Sequence, residues 1–439
     1  MCRLVRHWRA CRWSMGRYKR SSKSSRRVCW DGASNDAGVG YTGLKRGCAM
    51  RILMISAEYP PMSGGIGDYT RRLSAALSQR GHEVAIMTGK QGQAYRDAAR
   101  IYPVRIEKWD NSCIPVIRQT VAKLQPDIVH IQYQTGAYDM KVAINRLPGM
   151  LSRERKQGMR VVTTAHDLLP PYLFPKAGFL RRWYTKKIIQ DADGAVMTNA
   201  GDFHTVMDDA KGMWNPNTVF IPIGANVSPS PPENYDRELW RSRFGVLRGD
   251  MLLAYFGLLT HTKGIDTLLL AMRTLPASTR LALIGGEGES NEDQAYARRV
   301  RQNIIDYGLE DRVIVTGHAE PTDVSAYLIA ADAVVLPFSD GYSYRRGSLL
   351  TGLAHGVPVI TTKAQLNVSQ DPLPDLISGK HALLVEPDSD TALAEAIEHL
   401  RTNPELAFNL SRGGRELMEI FGWDRIVAQH DDLYHSLKS

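Results

Sequence analysis

The stretch from Tyr255 to Gly288 holds the residues whose types and spacing point most clearly to chemistry. Two apolar segments end in glycine, the first at Gly257 and the second at Gly285-Gly286. Glycine has no Cβ, so a ligand can approach the backbone closely. Lys263 precedes a helical pattern, whose free N–H groups and dipole favour an anion. An ordinary strand–helix–strand unit also needs turn glycines, but two such turns beside a lysine favour a diphosphate cradle.

Strand and helix signals alternate from Met50 to the C-terminus, with a helix predicted over 68–80. A first series of predicted strands covers 51–56, 82–88, 127–133, 160–165 and 194–200. A second series covers 251–257, 280–286, 312–317, 333–338 and 357–362. Alternation of this kind predicts an α/β fold with parallel sheets and helices on both faces.

The two series echo each other, although local convergence could also account for the similarity. Both contain a helix–Gly–strand joint, at Gly81 and again at Gly356. Between the series lies the Pro-rich segment SPSPPENYD (228–236), which is typical of a linker. The pattern therefore predicts two domains.

Charge is concentrated in the first 49 residues, which carry 12 Lys/Arg and 2 Asp of a chain with net charge +9. Residues 50–439 consequently carry a net charge of −1. A nearly neutral folded part gives no electrostatic indication of nucleic-acid binding.

Three interpretations of residues 1–49 stay open: a miscalled start with the true one at Met50, a basic disordered tail, or an Arg- and Ser-rich transit peptide. The chain has no apolar run of about 18 residues, so we expect no membrane span. Four of the five cysteines lie in this segment, and Cys113 alone remains. A single cysteine fits a reducing compartment, so we expect a cytoplasmic protein.

The Tyr255–Gly288 stretch resembles the donor-nucleotide site of the family-4 retaining glycosyltransferases, which have the GT-B fold. The matching positions are Gly257, Leu259, Lys263, Gly264, Asp266, Leu268, Leu269 and Ala271. The family's arginine is replaced by Leu258. The resemblance extends from about Met50 to the C-terminus.

This resemblance implies two Rossmann-like domains that face a central cleft. The expected divisions are a basic extension (1–49), an acceptor domain (50–227), a linker (228–245), a nucleotide-sugar domain (246–415) and a C-terminal helix that returns to the first domain (416–439). It also implies transfer of a sugar, with retention, from a nucleotide-diphosphate sugar to a hydroxyl acceptor. No cofactor is expected beyond that donor substrate.

In the first half, the loop Gly64-Gly65-Ile66-Gly67 follows a strand and opens a helix. A dinucleotide-binding fingerprint would need glycine at position 70, where this chain has Thr70. It would also need an acidic residue at the end of the second strand, and none is present there. The resemblance instead implies that the loop meets the acceptor or the donor sugar. It also places His166 beside the transferred sugar, with Asp167 next to it.

The second half departs most from the family, whose E-x7-E glutamates fall here on Ser343 and Thr351. We hypothesise that Arg346 or Arg345 replaces the missing arginine as the second cation for the diphosphate, because a planar guanidinium can hold two phosphate oxygens. The expected donor-binding residues are Gly257, Lys263, Gly285, Gly286, Gly288, Ser343, Arg345, Arg346, Ser348 and Thr351. The expected catalytic residues are Lys263, His166 and Arg346.

Other polar residues are predicted to be structural. Asp191 and Asp193 form a DxD pattern at a helix-to-strand joint, so we expect no metal there. His130 lies inside an apolar strand and is expected in the core or near the cleft. The basic, aromatic segment 179–189 is typical of a surface helix, or of one that contacts the inner face of a membrane.

The sequence therefore predicts a metal-independent hexosyltransferase-like enzyme. Because the two glutamates are missing, two other hypotheses stay open. One is a catalytically weak nucleotide-sugar-binding protein, and the other is a nucleotide-sugar epimerase. The donor base, the sugar, the acceptor and the oligomeric state do not follow from the sequence.

Overall fold

The computed structural model describes residues 49–62, 64–89, 100–101, 106–171, 178–208, 214–288, 290–365 and 372–439. The predicted extension therefore lies outside the described residues, apart from Ala49. The described residues form one compact unit.

The first half contains a parallel sheet of seven strands, counted over these residues, in the order β3-β2-β1-β4-β5-β6-β7. The strands are β1 (Arg51–Ser56), β2 (Glu83–Met87), β3 (Arg100–Ile101), β4 (Ile128–Tyr133), β5 (Arg160–Ala165), β6 (Gly194–Met197) and β7 (Thr218–Phe220). β4 is buried along its whole length, as a parallel strand covered on both faces must be.

The second half contains a parallel sheet of six strands in the order β10-β9-β8-β11-β12-β13, again counted over the described ranges. The strands are β8 (Met251–Phe256), β9 (Thr279–Ile284), β10 (Val313–Gly317), β11 (Ala333–Leu336), β12 (Val359–Thr362) and β13 (Leu383–Val385). The prediction of two parallel α/β sheets is confirmed.

Helices cover the faces of both sheets. Those of the first half are α1 (Gly65–Gln79), α2 (Cys113–Leu124), α3 (Ala143–Met150), α4 (Ser152–Lys156), α5 (Gly178–Gln190) and α6 (Ala200–Met207). Those that follow are α7 (Arg237–Ser242), α8 (Ile265–Thr274), α9 (Asn291–Asp306), α10 (Pro321–Ala330), α11 (Gly347–Ala354), α12 (Asp390–Thr402), α13 (Pro404–Met418) and α14 (Trp423–Lys438). Their apolar stripes face the sheets; α1, for example, buries Ile66, Leu73 and Leu77.

The C-terminal helix α14 packs against α1 of the first half. Its Ile426, Val427 and Tyr434 join the same buried cluster as Met54 and Leu73. The chain therefore crosses between the halves twice, once through the segment before α7 and once before α14.

Several predicted boundaries were wrong by a few residues. The strand predicted over 194–200 ends at Met197, because Asn199 caps α6: its Oδ1 accepts a hydrogen bond from the Asp202 N–H, 2.9 Å away. Helix α7 begins at Arg237, inside the expected linker, with Asp236 as its N-cap. Helix α1 begins three residues earlier than predicted, within the glycine loop.

Candidate functional site

A cleft of about 1010 Å³ lies between the two halves. Its first-half wall includes the glycine loop before α1 and the start of α6. Its second-half wall includes the loops that follow β8, β9, β10 and β11. The carboxyl ends of parallel strands are where open α/β sheets bind ligands, so this cleft is the candidate site.

Two glycines bring the second-half loops into direct backbone contact. Gly285 has φ +135°, and a Cβ there would collide with the carbonyl oxygen of Gly257. The loops are joined by a hydrogen bond from the Leu259 N–H to the Gly286 carbonyl, 3.0 Å. Gly264, with φ +67°, leaves no room for a Cβ beside the Pro337 carbonyl. Any larger residue would push these loops apart.

Lys263 ends a short 3-10 turn, His261–Lys263, immediately before α8. Its Nζ lies 5.3 Å from the centre of the Phe338 ring, and no carboxylate of the described residues lies within ion-pair distance of it. Burial, together with the nearby positive charge of Arg346, lowers the pKa of Lys263 to about 8. A desolvated cation with no carboxylate at ion-pair distance among the described residues favours binding of an anion.

Arg346 approaches the same aromatic ring. Its guanidinium carbon lies 4.1 Å from the centre of the Phe338 ring, and it forms an ion pair with Asp340. The side chain is only 13 % exposed, and its Nε has no hydrogen-bond partner. Burial lowers the pKa of this guanidinium, and Asp340 opposes that effect. Lys263 and Arg346 thus converge on one ring with a single nearby carboxylate.

Helix α11 begins beside these two cations, with Arg346 as its N-cap residue. The N–H groups of Gly347 and Ser348 have no acceptor among the described residues. The Ser348 hydroxyl is buried and has no hydrogen-bond partner within the described ranges. Both residues line the cleft. Free N–H groups, a helix dipole and two cations together are an arrangement that can bind an anion such as a diphosphate.

Ser343 and Arg345 also line the cleft. The Ser343 hydroxyl accepts a hydrogen bond from the Arg345 N–H, 3.3 Å, which fixes the turn before α11. The Arg345 side chain is exposed. Burial lowers the pKa of His166 and raises that of Asp202, and the nearby charge of Arg345 acts to lower both values, so Arg345 lies close to the first half.

Thr351 and Gly288 lie outside the cleft lining. The fully buried Thr351 hydroxyl accepts a hydrogen bond from the Val227 N–H, 3.4 Å, in the crossing segment between the halves. A Cβ at Gly288 would collide with Asp293 in the first turn of α9. In this structure neither residue is brought together with Lys263 and Arg346.

In the glycine loop of the first half, Gly64 and Gly65 line the cleft, whereas Gly67 is buried. A Cβ at Gly67 would lie 3.2 Å from the Cα of Tyr59, so this glycine permits close packing of α1 on the preceding loop. The loop therefore combines an exposed part with a structural part.

His166 follows β5 and is partly buried beneath the cleft wall rather than in its lining. Its Nε2 lies 3.0 Å from Gln132 Oε1, and the Tyr69 ring packs edge-on at 5.0 Å. Burial lowers the pKa of His166 to about 3, so the ring stays neutral at ordinary pH. The Asp167 carboxylate accepts a hydrogen bond from the Leu169 N–H, 3.2 Å, and stabilises the local turn.

The polar residues predicted to be structural have protein partners. His130 is fully buried, with Tyr434 Oη 2.6 Å from Nδ1 and Thr164 Oγ1 2.7 Å from Nε2. Asp193 pairs with Arg155 at 2.7 Å and accepts a hydrogen bond from the Val161 N–H at 2.8 Å. Asp191 pairs with Lys187 at 2.6 Å. No cluster of three or more metal-ligating side chains occurs in the described part of the chain.

Sequence reasoning missed three residues of the cleft lining and one buried ring. Asp340 pairs with Arg346, Asn226 packs its side chain against Gly347, and Asp68 is partly buried in the first turn of α1. The buried Phe338 ring contacts both cations. Burial raises the pKa of Asp68. Phe338 ends the strand predicted over 333–338 and Asp340 follows it, which is a weak signal for the ligand-binding edge of a sheet.

Two family models match the chain. Residues 64–224 match the glycosyl transferase 4-like domain, and residues 250–403 match glycosyl transferases group 1. A D-inositol 3-phosphate glycosyltransferase of Xylanimonas cellulosilytica is 24% identical, over 88% of this chain and 96% of that protein. A putative teichuronic acid biosynthesis glycosyltransferase, TuaC of Bacillus subtilis, is 31% identical over 51% of this chain and 53% of that protein.

Solved structures share the fold. Sucrose-phosphate synthase from Thermosynechococcus elongatus superposes with a TM-score of 0.67 and 24% identity, over 88% of this chain and 99% of that one. Anabaena Alr3699/HepE in complex with UDP-glucose gives a TM-score of 0.68 and 17% identity, over 88% of this chain and all of that one. The expected GT-B architecture, two Rossmann-like domains around a cleft, is confirmed.

Proposed function

Because this chain belongs to the group 1 glycosyltransferases of the GT-B fold, we propose that it transfers a sugar from a nucleoside diphosphate sugar to a hydroxyl group of an acceptor, with retention at the anomeric carbon. The observation that carries this proposal is the convergence of Lys263 and Arg346 on Phe338, beside the free N–H groups that begin α11.

The donor diphosphate lies, in this proposal, against Lys263, Arg346 and the start of α11. Arg346 supplies the second cation that the sequence lacks at Leu258. Its guanidinium is better placed than that of Arg345, because it is buried beside Lys263 while Arg345 is exposed. Binding a diphosphate would satisfy the Ser348 hydroxyl and the Arg346 Nε, which have no partner in the structure.

Catalysis would rest on positioning and on charge stabilisation of the leaving diphosphate. The two cations are partly withdrawn from water, so each interacts more strongly with developing negative charge than it would in solvent. Closure of the two halves would strengthen this effect. Because two side-chain cations and helix N–H groups already neutralise the diphosphate, we propose that no metal ion is required.

The acceptor would bind against the first half, where Gly64, Gly65 and the start of α6 line the cleft. We place His166 and Asp167 at the base of this side. His166 would contact a hydroxyl of the transferred sugar through the one ring nitrogen that has no partner among the described residues. Asp167 would act indirectly, by holding the turn that follows His166.

The test is product analysis with a panel of nucleoside diphosphate sugars, each with and without sugar, polyol and lipid-linked acceptors. Release of the nucleoside diphosphate together with a new glycoside, whose anomeric configuration matches the donor, is expected. A changed sugar formed without any acceptor would indicate an epimerase. Donor binding without turnover would indicate the weak binding protein that replacement of the glutamates by Ser343 and Thr351 also suggests.

We also propose that α5 contacts the inner face of a membrane. Phe179 is 77 % exposed and Trp183 is 49 % exposed, with the exposed Arg182 between them. An aromatic and basic face of this kind can bind anionic lipid. None of the helices in the described ranges is long and apolar enough to cross a bilayer.

Co-sedimentation with vesicles tests this proposal. The chain should bind vesicles that contain anionic phosphatidylglycerol better than neutral ones, and Phe179→Ser with Trp183→Ser should abolish binding. Phe408→Ser is the matched control, because Phe408 is 63 % exposed on α13 of the other half. Equal binding by the double variant, or no dependence on lipid charge, would exclude this surface.

A further inference from the structure

A chain of hydrogen bonds connects His166 to the C-terminal helix. His166 Nε2 lies 3.0 Å from Gln132 Oε1. The Gln132 Nε2 lies 3.3 Å from His130 Nε2, and His130 Nδ1 lies 2.6 Å from the Tyr434 hydroxyl of α14. Gln132, His130 and Tyr434 are fully buried, so these groups have no solvent to replace a lost partner.

The direction of this chain follows from the chemistry of the glutamine amide. The Gln132 Nε2 also lies 3.7 Å from the sulfur of Met54, which can only accept a hydrogen bond. The reverse orientation would set the amide oxygen against that sulfur, so that two acceptors would face each other. The amide oxygen therefore faces His166, and it can only accept.

The His166 ring is consequently restricted to one tautomer. Since Gln132 Oε1 accepts, Nε2 must carry the hydrogen, and Nδ1 then keeps its lone pair. Nδ1 has no hydrogen-bond partner among the described residues. The ring itself is held by the edge of Tyr69, at 5.0 Å, whose hydroxyl in turn lies 3.4 Å from His430 Nε2 of α14.

We propose that Gln132 is a positioning residue that holds His166 as its Nε2–H tautomer, so that Nδ1 accepts a hydrogen bond from a hydroxyl of the bound substrate. The contact with a substrate hydroxyl rests on the proposed function, but the assignment of the tautomer does not. A free imidazole would sample both tautomers and several ring orientations, and it would lose this freedom when the substrate binds. Fixing the tautomer and the orientation in advance removes that entropic cost of binding.

Ring-nitrogen NMR of the full chain, with histidines labelled with ¹⁵N, reads the tautomer without any turnover. His166 is assigned by comparison with His166→Gln. The wild type is expected to show Nε2–H and an unprotonated Nδ1 from pH 6 to 8. Gln132→Leu removes the acceptor, so a mixture of tautomers is expected. With an active donor and acceptor, this variant should lose kcat about 10- to 100-fold with little change in donor KM.

Gln132→Glu keeps an accepting oxygen but adds a negative charge, which favours the imidazolium. Raising the pH should therefore restore activity in this variant as His166 loses the extra proton. Thr164→Val is the matched control, because it removes a buried hydrogen bond to His130 without touching His166. It should lower the unfolding temperature and leave the His166 tautomer unchanged.

A wild-type ring with Nδ1–H, or an unchanged tautomer in Gln132→Leu, would overturn the proposal whatever the enzyme's reaction. If the tautomer behaves as expected but no sugar nucleotide shifts the Nδ1 signal, the tautomer assignment stands. The role of Nδ1 toward a substrate hydroxyl would then fail, whereas the proposed function is decided separately by product analysis.

Discussion

Lys263 and Arg346 are an unusual pair at the scale of single residues, because two partly buried cations share one aromatic ring and one carboxylate. Bringing two like charges together in a partly desolvated place costs free energy unless an anion binds there. Burial lowers the pKa of both side chains, and the charge of Arg346 lowers that of Lys263 further. A bound diphosphate would reverse this cost, so the pair is preorganised for a doubly charged ligand.

The pH dependence of donor affinity provides a first prediction. Lys263, with its pKa at about 8, is charged below that pH and loses its proton above it. Because the diphosphate binds the charged form, donor affinity should be constant below pH 8. It should then weaken by up to about tenfold per pH unit well above that value. Calorimetric titration with a sugar nucleotide measures this directly, since its diphosphate has no group that titrates near pH 8.

Lys263→Met is the control for that experiment. The variant should bind the donor weakly, with no inflection near pH 8. An identical inflection in the variant would assign the titration to another group.

Arg346→Ala tests the second cation. Removing the guanidinium leaves Asp340 unpaired beside the diphosphate site, so repulsion adds to the lost attraction. We expect donor KM to rise at least about tenfold, measured by steady-state release of nucleoside diphosphate. Arg401→Ala, which breaks the exposed pair with Glu398 on α12, is the matched control and should leave KM unchanged. Unchanged KM in Arg346→Ala would remove it from the site.

Some site residues were predictable from sequence and others were not. Lys263 and the turn glycines stand out because their chemistry and spacing are local. Phe338 and Asp340 do not, since an aromatic residue at the end of an apolar strand is ordinary core sequence. The contact between Thr351 and Val227 joins positions that are distant along the chain, so no local pattern could indicate it.

At the scale of elements, the site depends on turns that hold the ends of β8 and β9 together. Gly285→Ala should lower the free energy of unfolding by more than about 2 kcal/mol. The added Cβ would collide with the Gly257 carbonyl, and the φ of this position is unfavourable for alanine. Donor binding should also be lost. Urea denaturation measures the first effect and calorimetry the second.

Gly317→Ala is the matched control for that turn. Its φ of +71° is also unfavourable for alanine, but nothing lies within 4 Å of the added Cβ. Only the conformational cost of about 1 kcal/mol is expected. Equal losses in the two variants would show that the collision with Gly257 is relieved without cost.

The element pattern was readable because buried parallel strands are continuous apolar runs and the covering helices have a period of 3.6. The short strands β3, β7 and β13 were missed. They hold two or three residues each, so they give little pattern to detect. Their pairing depends on the neighbouring strand, which local sequence does not encode.

At the scale of the whole molecule, α14 ties the end of the chain to the first half through buried aromatic and histidine side chains. Burial lowers the pKa of His166 to about 3 and that of His430 to about 4. Both pKa values lie below the value of about 6.5 for an unfolded chain. The unfolded state therefore takes up protons first as the pH falls, and stability is lost below pH 6.5.

Urea denaturation at pH 7.5 and pH 5.0 tests this linkage. Each such histidine should contribute about 2 kcal/mol to the loss of stability at pH 5. His430→Gln should be less stable at pH 7.5, because it loses the contacts with Tyr69 and the Ile426 carbonyl. Its further loss at pH 5.0 should be smaller by about 2 kcal/mol. The same pH dependence in the variant would place the titrating groups elsewhere.

The central claim is that Lys263 and Arg346 form the site for the donor diphosphate. The most direct measurement is the unfolding temperature of the wild type, Lys263→Met and Arg346→Ala with UDP, GDP, ADP and their sugar conjugates. One nucleotide series should stabilise the wild type in proportion to its concentration and fail to stabilise either variant. Equal stabilisation of all three proteins, or none of the wild type by any nucleotide, would contradict the claim.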